Sequence, residues 1–171
     1  MNWISRWKKQ LEGCRFRLLI VLLLLVSSLS PALAGSSPPK VVVRVHIQNM
    51  NKELKKQTFM VQLPDPPEQI SVSTLPEASE KDVLNVTGKP TTNGFGAYIQ
   101  FNRRGSVNLS ATTAQNQGRI LVVVINNRVV YAPVIDTVIS NGILFIPDGI
   151  SPKEMEALST LAKYNSKRAK F

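Results

Sequence analysis

FGAYIQF (95–101), NRRGSVNLSATTAQNQG (102–118), RILVVVI (119–125), NN (126–127) and RVVYAPVI (128–135) follow one another without a break. Their reading decides the fold. In the first, Phe95, Ala97, Ile99 and Phe101 alternate with smaller or polar residues, the period of a half-buried strand. The second places Val107, Ala111 and Ala114 at helical spacing and ends in Gly118, so a helix with those residues inward and Gly118 as a left-handed C′ residue is expected. Its Ser, Asn and Thr compete for the backbone and weaken it. The run 119–125 is apolar throughout and reads as a central strand covered on both faces. Asn126 and Asn127 supply a two-residue hairpin turn, since Asn tolerates positive φ. The returning strand carries Pro133, which marks an edge or a bulge.

Downstream, ILFI (143–146) is a last strand. Ser151-Pro152-Lys153-Glu154 is a capping box with Pro at the first helical position. Met155, Leu158, Leu161 and Ala162 form the buried stripe of the closing helix. Lys163, Lys167, Arg168 and Lys170 make 163–171 a basic tail.

Upstream, VVVRVHIQ (41–48) alternates Val41, Val43, Val45 and Ile47 with Arg44, His46 and Gln48. That predicts a strand with His46 on its solvated face. TFMVQL (58–63) repeats the pattern, PDPPEQ (64–69) stops it, and ISVSTL (70–75) is a third short strand. The stretch 76–94 mixes acids, Gly and Pro, and reads as loop apart from a helical turn at Glu80–Leu84. The order is that of an α+β domain, a mostly antiparallel sheet with helices on one face.

The first forty residues differ. Arg6, Lys8, Lys9, Arg15 and Arg17 precede LLIVLLLLV (18–26), and SSLSPALA (27–34) ends small-x-small. This is the pattern of a secretory signal peptide over 1–34, cleaved after Ala34. Nine apolar residues rise only about 14 Å as a helix, half the hydrocarbon core. Counted through Ala34 the run is longer, so an uncleaved anchor is the alternative. Either way the positive flank stays cytoplasmic and the rest is exported, to a periplasm or cell envelope. Residues 35–40 are a spacer, and 41–162 form one exported domain.

The whole chain has 171 residues and a net charge of +10, which loss of the leader would lower to +6. The single cysteine, Cys14, precedes the apolar run, so the exported part has no disulfide framework and no lipidated cysteine. One Cys and one His exclude an ordinary zinc cluster, and no cofactor is expected. Glu77, Glu80 and Asp82 lack the spacing of a calcium loop, and Lys81 interrupts them. Asn93-Gly94-Phe95-Gly96 lacks the spacing of a phosphate-binding loop. Arg103, Arg104, Arg119 and Arg128 are scattered, so a nucleic-acid footprint is not expected.

From Gly94 to Ala162 the chain resembles the head part of the first large periplasmic domain of SecD, an accessory subunit of the Sec protein-export machinery. The matching features are Gly105, Gly118, LVVVI (121–125), Ala132-Pro133 within YAPVI (131–135), Ile139 with Asn141-Gly142, Ile146 with Gly149, and Lys153–Leu161. Asn126-Asn127 stands where that family has Asp-Gly. The resemblance implies a non-enzymatic exported module that contacts unfolded or translocating polypeptide. Its glycines, the Asn126-Asn127 turn and Pro133 would set backbone shape. A partner would add to the sheet edge at Val129, Tyr131, Pro133 and Ile135. The tail and the leader offer contact with a membrane surface. The rival readings are a small exported hydrolase using His46, which requires that side chain in an open pocket, and an anchored structural envelope protein.

Overall fold

The computed structural model describes residues 40–50, 57–64 and 66–169. The chain divides into two compact units, Met1–Ser37 and Pro38–Phe171. The first lies outside the described residues, and with it the expected signal or anchor, Cys14 and most of the spacer. The described elements all belong to the second.

Its strands are β1 (Val43–Ile47), β2 (Thr58–Gln62), β3 (Gln69–Ser73), β4 (Ala78–Ser79), β5 (Val83–Thr91), β6 (Gly94–Phe101), β7 (Leu121–Ile125), β8 (Arg128–Tyr131) and β9 (Ile143–Ile150). A 3-10 turn spans Glu80–Asp82, and the helices are α1 (Arg103–Gln115) and α2 (Pro152–Arg168). Among the described residues the strands form three antiparallel sheets, ordered β4-β1-β7-β8, β2-β3 and β5-β6-β9. This is the expected α+β architecture.

β7 explains the layering. Its unbroken apolar run has to bury both faces. Leu121, Val123 and Ile125 enter the main core with Val43, Val45, Ile99, Leu144, Ile146 and Leu158. Val122 points the other way and packs with Val61, Leu63, Ile70 and Val72 of the β2–β3 hairpin. A two-stranded hairpin is marginal alone, so β2–β3 is held by the sheet it covers.

The turn from β7 to β8 is as expected. Asn126 and Asn127 have φ of 49° and 65°, the values of a type I′ turn. The Asn126 side-chain oxygen also accepts the Val42 N–H at 3.1 Å. Beyond β8, Pro133 has no N–H to offer. Its carbonyl accepts from Leu121 N–H at 2.9 Å, and Ile135 N–H donates to the Arg119 carbonyl. The ladder thus passes the proline without an unpaired donor.

Three expectations need correction. The helical turn expected at Glu80–Leu84 ends at Asp82, and 83–91, expected as the end of that turn and then loop, is the nine-residue strand β5. Thr91 pairs with Gly94, so Thr92-Asn93 is a two-residue turn. β5 lies at the edge of its sheet, which lets it carry Gly88 and Pro90. In α1 the expected stripe of Val107, Ala111 and Ala114 faces solvent, and Gly105, Leu109 and Thr113 are buried instead. A Cβ at Gly105 would stand 2.9 Å from Phe101 Cβ, so the helix sits against β6 there. Thr113 is tolerated inside because its hydroxyl donates to the Leu109 carbonyl at 2.7 Å and accepts the Ile139 N–H at 3.0 Å. Finally, α1 is capped by Asn116, so Gly118, though left-handed at φ 80°, lies two residues past the cap.

α2 carries the expected capping box: Ser151 Oγ accepts the Glu154 N–H, and Glu154 Oε2 accepts the Ser151 N–H at 2.9 Å. Met155, Leu158, Leu161 and Ala162 are its buried stripe. The helix continues to Arg168, held by Asn165 Nδ2, which donates to the Glu80 and Val83 carbonyls at 2.8 Å each. Among the described residues, no helix is long and apolar enough to cross a membrane.

Candidate binding surfaces

β8 ends the four-stranded sheet, as an augmentation edge must. Only part of that edge is open. Arg128 Nη2 donates to the Gly149 carbonyl at 2.8 Å and to Glu154 Oε2 at 2.7 Å. A Cβ on Gly149, whose φ is 85°, would lie 3.7 Å from the Val130 carbonyl. The C-terminal part of β9 therefore runs beside the first half of β8. Val129, Tyr131 and Pro133 are half-buried, while Ile135 is only 5% exposed and belongs to the main core. Ile135 leaves the candidate edge for that reason: its main chain is bonded to Arg119 and its side chain points inward.

A second surface emerges from strand pairing. On the outer face of β5-β6-β9, Tyr98 pairs across with Phe145 and Gln100 with Ile143. Tyr98 and Phe145 stack at 4.7 Å between ring centroids, inclined by 30°. They remain 48% and 44% exposed, with Ile143 at 37%. Sequence reasoning missed this face, although the signal lay in the alternation itself: FGAYIQF and ILFI place an aromatic or branched residue on the side opposite the core.

Two clefts flank the 3-10 turn. One, of about 440 Å³, is lined by charges of both signs, among them Arg44, Glu77, Lys81 and Arg104. Two of its acids have protein partners: Glu77 Oε2 accepts from Thr112 Oγ1 at 2.8 Å, and Asp82 accepts from Ser79 and from Arg104 Nη2 at 2.7 Å, while the third, Glu80, buries its Oε2 without a hydrogen-bond partner. Asp82 and Arg104 thus tie the turn to the first turn of α1. The other cleft, of about 480 Å³, is lined by Lys81, Val83, Leu84, Asn102, Asn165, Arg168 and Ala169, and contains no acid.

His46 corrects an expectation. It is 2% exposed, not solvated, because the β2–β3 hairpin lies over that face of β1. Its Nδ1 is 2.8 Å from the Ser73 carbonyl, and Phe59 meets its ring edge-on at 5.3 Å. Burial pushes its pKa below the ordinary histidine value, against the Ser73 hydrogen bond that raises it. Neither cleft includes it. A general base must reach substrate, and this imidazole is spent holding a hairpin.

The architecture defines a small antiparallel α+β domain that presents an edge and an aromatic sheet face. A family model described as "SecDF, P1 head subdomain" matches residues 54–166, well over half of the chain, and the chain belongs to that family. The likeness therefore reaches beyond 94–162 and takes in the β2–β3 hairpin. Among curated proteins none matches. Among solved structures, one of a membrane component SecDF that enhances protein export shares 19% identity at a TM-score of 0.51, covering 72% of this chain and 62% of that one. SecDF in a super-membrane-facing form shares 20% identity at 0.51, covering 72% of this chain and 19% of that one. At such identities the likeness is one of fold, and this chain spans less than two thirds of either relative's length.

Proposed function

We propose that this chain is an exported, non-enzymatic module of protein export that holds unfolded or translocating polypeptide. The observation that carries the reading is the stacked, half-exposed Tyr98–Phe145 pair with Ile143 on the outer sheet face. Aromatic rings bind chain segments with large area and little entropy loss, and they need no particular sequence. The short open end of the β8 edge beside Tyr131 offers main-chain pairing as a supplement, though not at Pro133, which has no N–H and whose carbonyl is taken by Leu121. Membership of the SecDF P1 head subdomain family supports a place beside the export machinery. The basic leader and apolar run of 1–34 support export itself. No cofactor or nucleic acid is part of the reading.

The test is photo-crosslinking of the full chain to an unfolded polypeptide, beside an inert domain of equal charge. Enrichment over that control, lost when Tyr98→Ser and Phe145→Ser are combined, supports the proposal. Equal labelling of the two proteins removes it.

A further inference from the structure

The acid-free cleft lies off the C-terminal end of β6, the strand that carries Tyr98. Tyr98 and Gln100 share the outer face of β6 by strand alternation, and Asn102, the α1 N-cap just past the strand, lines the cleft. From Tyr98 to Asn102 the strand advances about 14 Å. Lys81 and Arg168 stand at the cleft, Arg103 follows Asn102, and Lys163 and Lys167 lie on the last turns of α2. All five are exposed. Among the described residues the ion pairs are Arg104–Asp82 and Arg128–Glu154, so none of these five has an acidic partner there. The floor is Val83 and Leu84, and Asn165 is held by main-chain carbonyls. Arg168 rests over the Tyr164 ring at 5.8 Å, which fixes a cation at the rim.

Resting on the functional reading above, we infer that the domain selects extended polypeptide segments in which an apolar anchor is followed by acidic residues. The apolar side chains lie on Tyr98, Phe145 and Ile143, and the carboxylates reach the cleft at Lys81 and Arg168. Charge complementarity argues for this occupant. A purely apolar chain leaves Lys81 and Arg168 unanswered, whereas a carboxylate about four residues beyond the anchor reaches them. The same charges would keep basic segments away.

Fluorescence anisotropy of the full chain tests it, with a labelled unstructured peptide carrying Phe and Leu and then, about four residues on, a run of Glu. A twin peptide has Gln for Glu. The Glu peptide is expected to bind about tenfold tighter at low salt, from a few partly exposed ion pairs. The difference should collapse at about 0.5 M salt. Lys81→Gln with Arg168→Gln should abolish the preference and leave Gln-peptide affinity unchanged. Lys40→Gln with Lys153→Gln, an equal loss of charge elsewhere, should preserve it. Equal binding of the twin peptides overturns the inference and leaves the functional reading standing. Binding of neither peptide overturns both. Anionic vesicles bound through Lys81 and Arg168, with no discrimination between the peptides, overturn it in favour of a lipid surface.

Discussion

At His46 a polar position in an alternating strand becomes interior, and its charge becomes a stability variable. The folded pKa is lowered, chiefly by burial, with Arg44 adding to that and Ser73 and Glu77 opposing it. The unfolded chain therefore binds the proton more readily, and stability rises with pH. The contribution is complete above the ordinary histidine value and is lost as pH falls below it, at no more than about 1.4 kcal/mol per pH unit. Thermal melts between pH 8 and pH 5, taken as roughly the span of histidine titration, should show a falling Tm. The slope should shrink in His46→Gln. Glu154 adds a second loss at lower pH. Burial raises its carboxyl, but the Ser151 and Arg128 hydrogen bonds outweigh that and hold it below the usual carboxylate range. Gly142 makes a further residue-scale case. It has φ 67°, and a Cβ there would come within 1.9 Å of Ser106 Oγ. Gly142→Ala should lower stability by about 1–3 kcal/mol in denaturant unfolding, from left-handed strain and the displaced helix.

Elements differ in how far the sequence disclosed them. β6, β7, the Asn126-Asn127 turn and α2 were legible because each signal is local: alternation, an unbroken apolar run, a positive-φ pair, a capping box. β5 was not. Its Gly88, Lys89 and Pro90 are tolerable only at an edge, and edge position is a property of the sheet. The α1 stripe differs from its hydrophobic spacing because the helix approaches β6 through a glycine and a bonded threonine, which such spacing does not weigh. The aromatic face was hidden for the same kind of reason, since strand pairing alone brings Tyr98 beside Phe145. Two variants test the elements. Ser151→Ala should cost about 1 kcal/mol by removing the α2 cap. Leu158→Ala, in the fully buried stripe, should cost about 2–5 kcal/mol. Chemical denaturation checks both, and a larger loss at the cap than in the core would reverse the assignment of what holds α2.

For the whole molecule, β7 joins the layers, with β2–β3 on one side and the main core on the other. Among the described residues the surfaces include an edge strand, an aromatic sheet face, a mixed-charge cleft and a basic cleft, and the lone histidine lines neither cleft. On the reading proposed above, these surfaces serve recognition, and the chain's membership of the SecDF P1 head subdomain family is in keeping with that proposal.

The most direct measurement compares binding of the full chain to one protein in its unfolded, chemically blocked state and in its native state. The account predicts saturable binding to the unfolded form alone, weakened about fivefold or more in Tyr98→Ser/Phe145→Ser as an exposed aromatic anchor is lost, with Tm unchanged. Equal affinity for both states, or full affinity in that double variant, would contradict it.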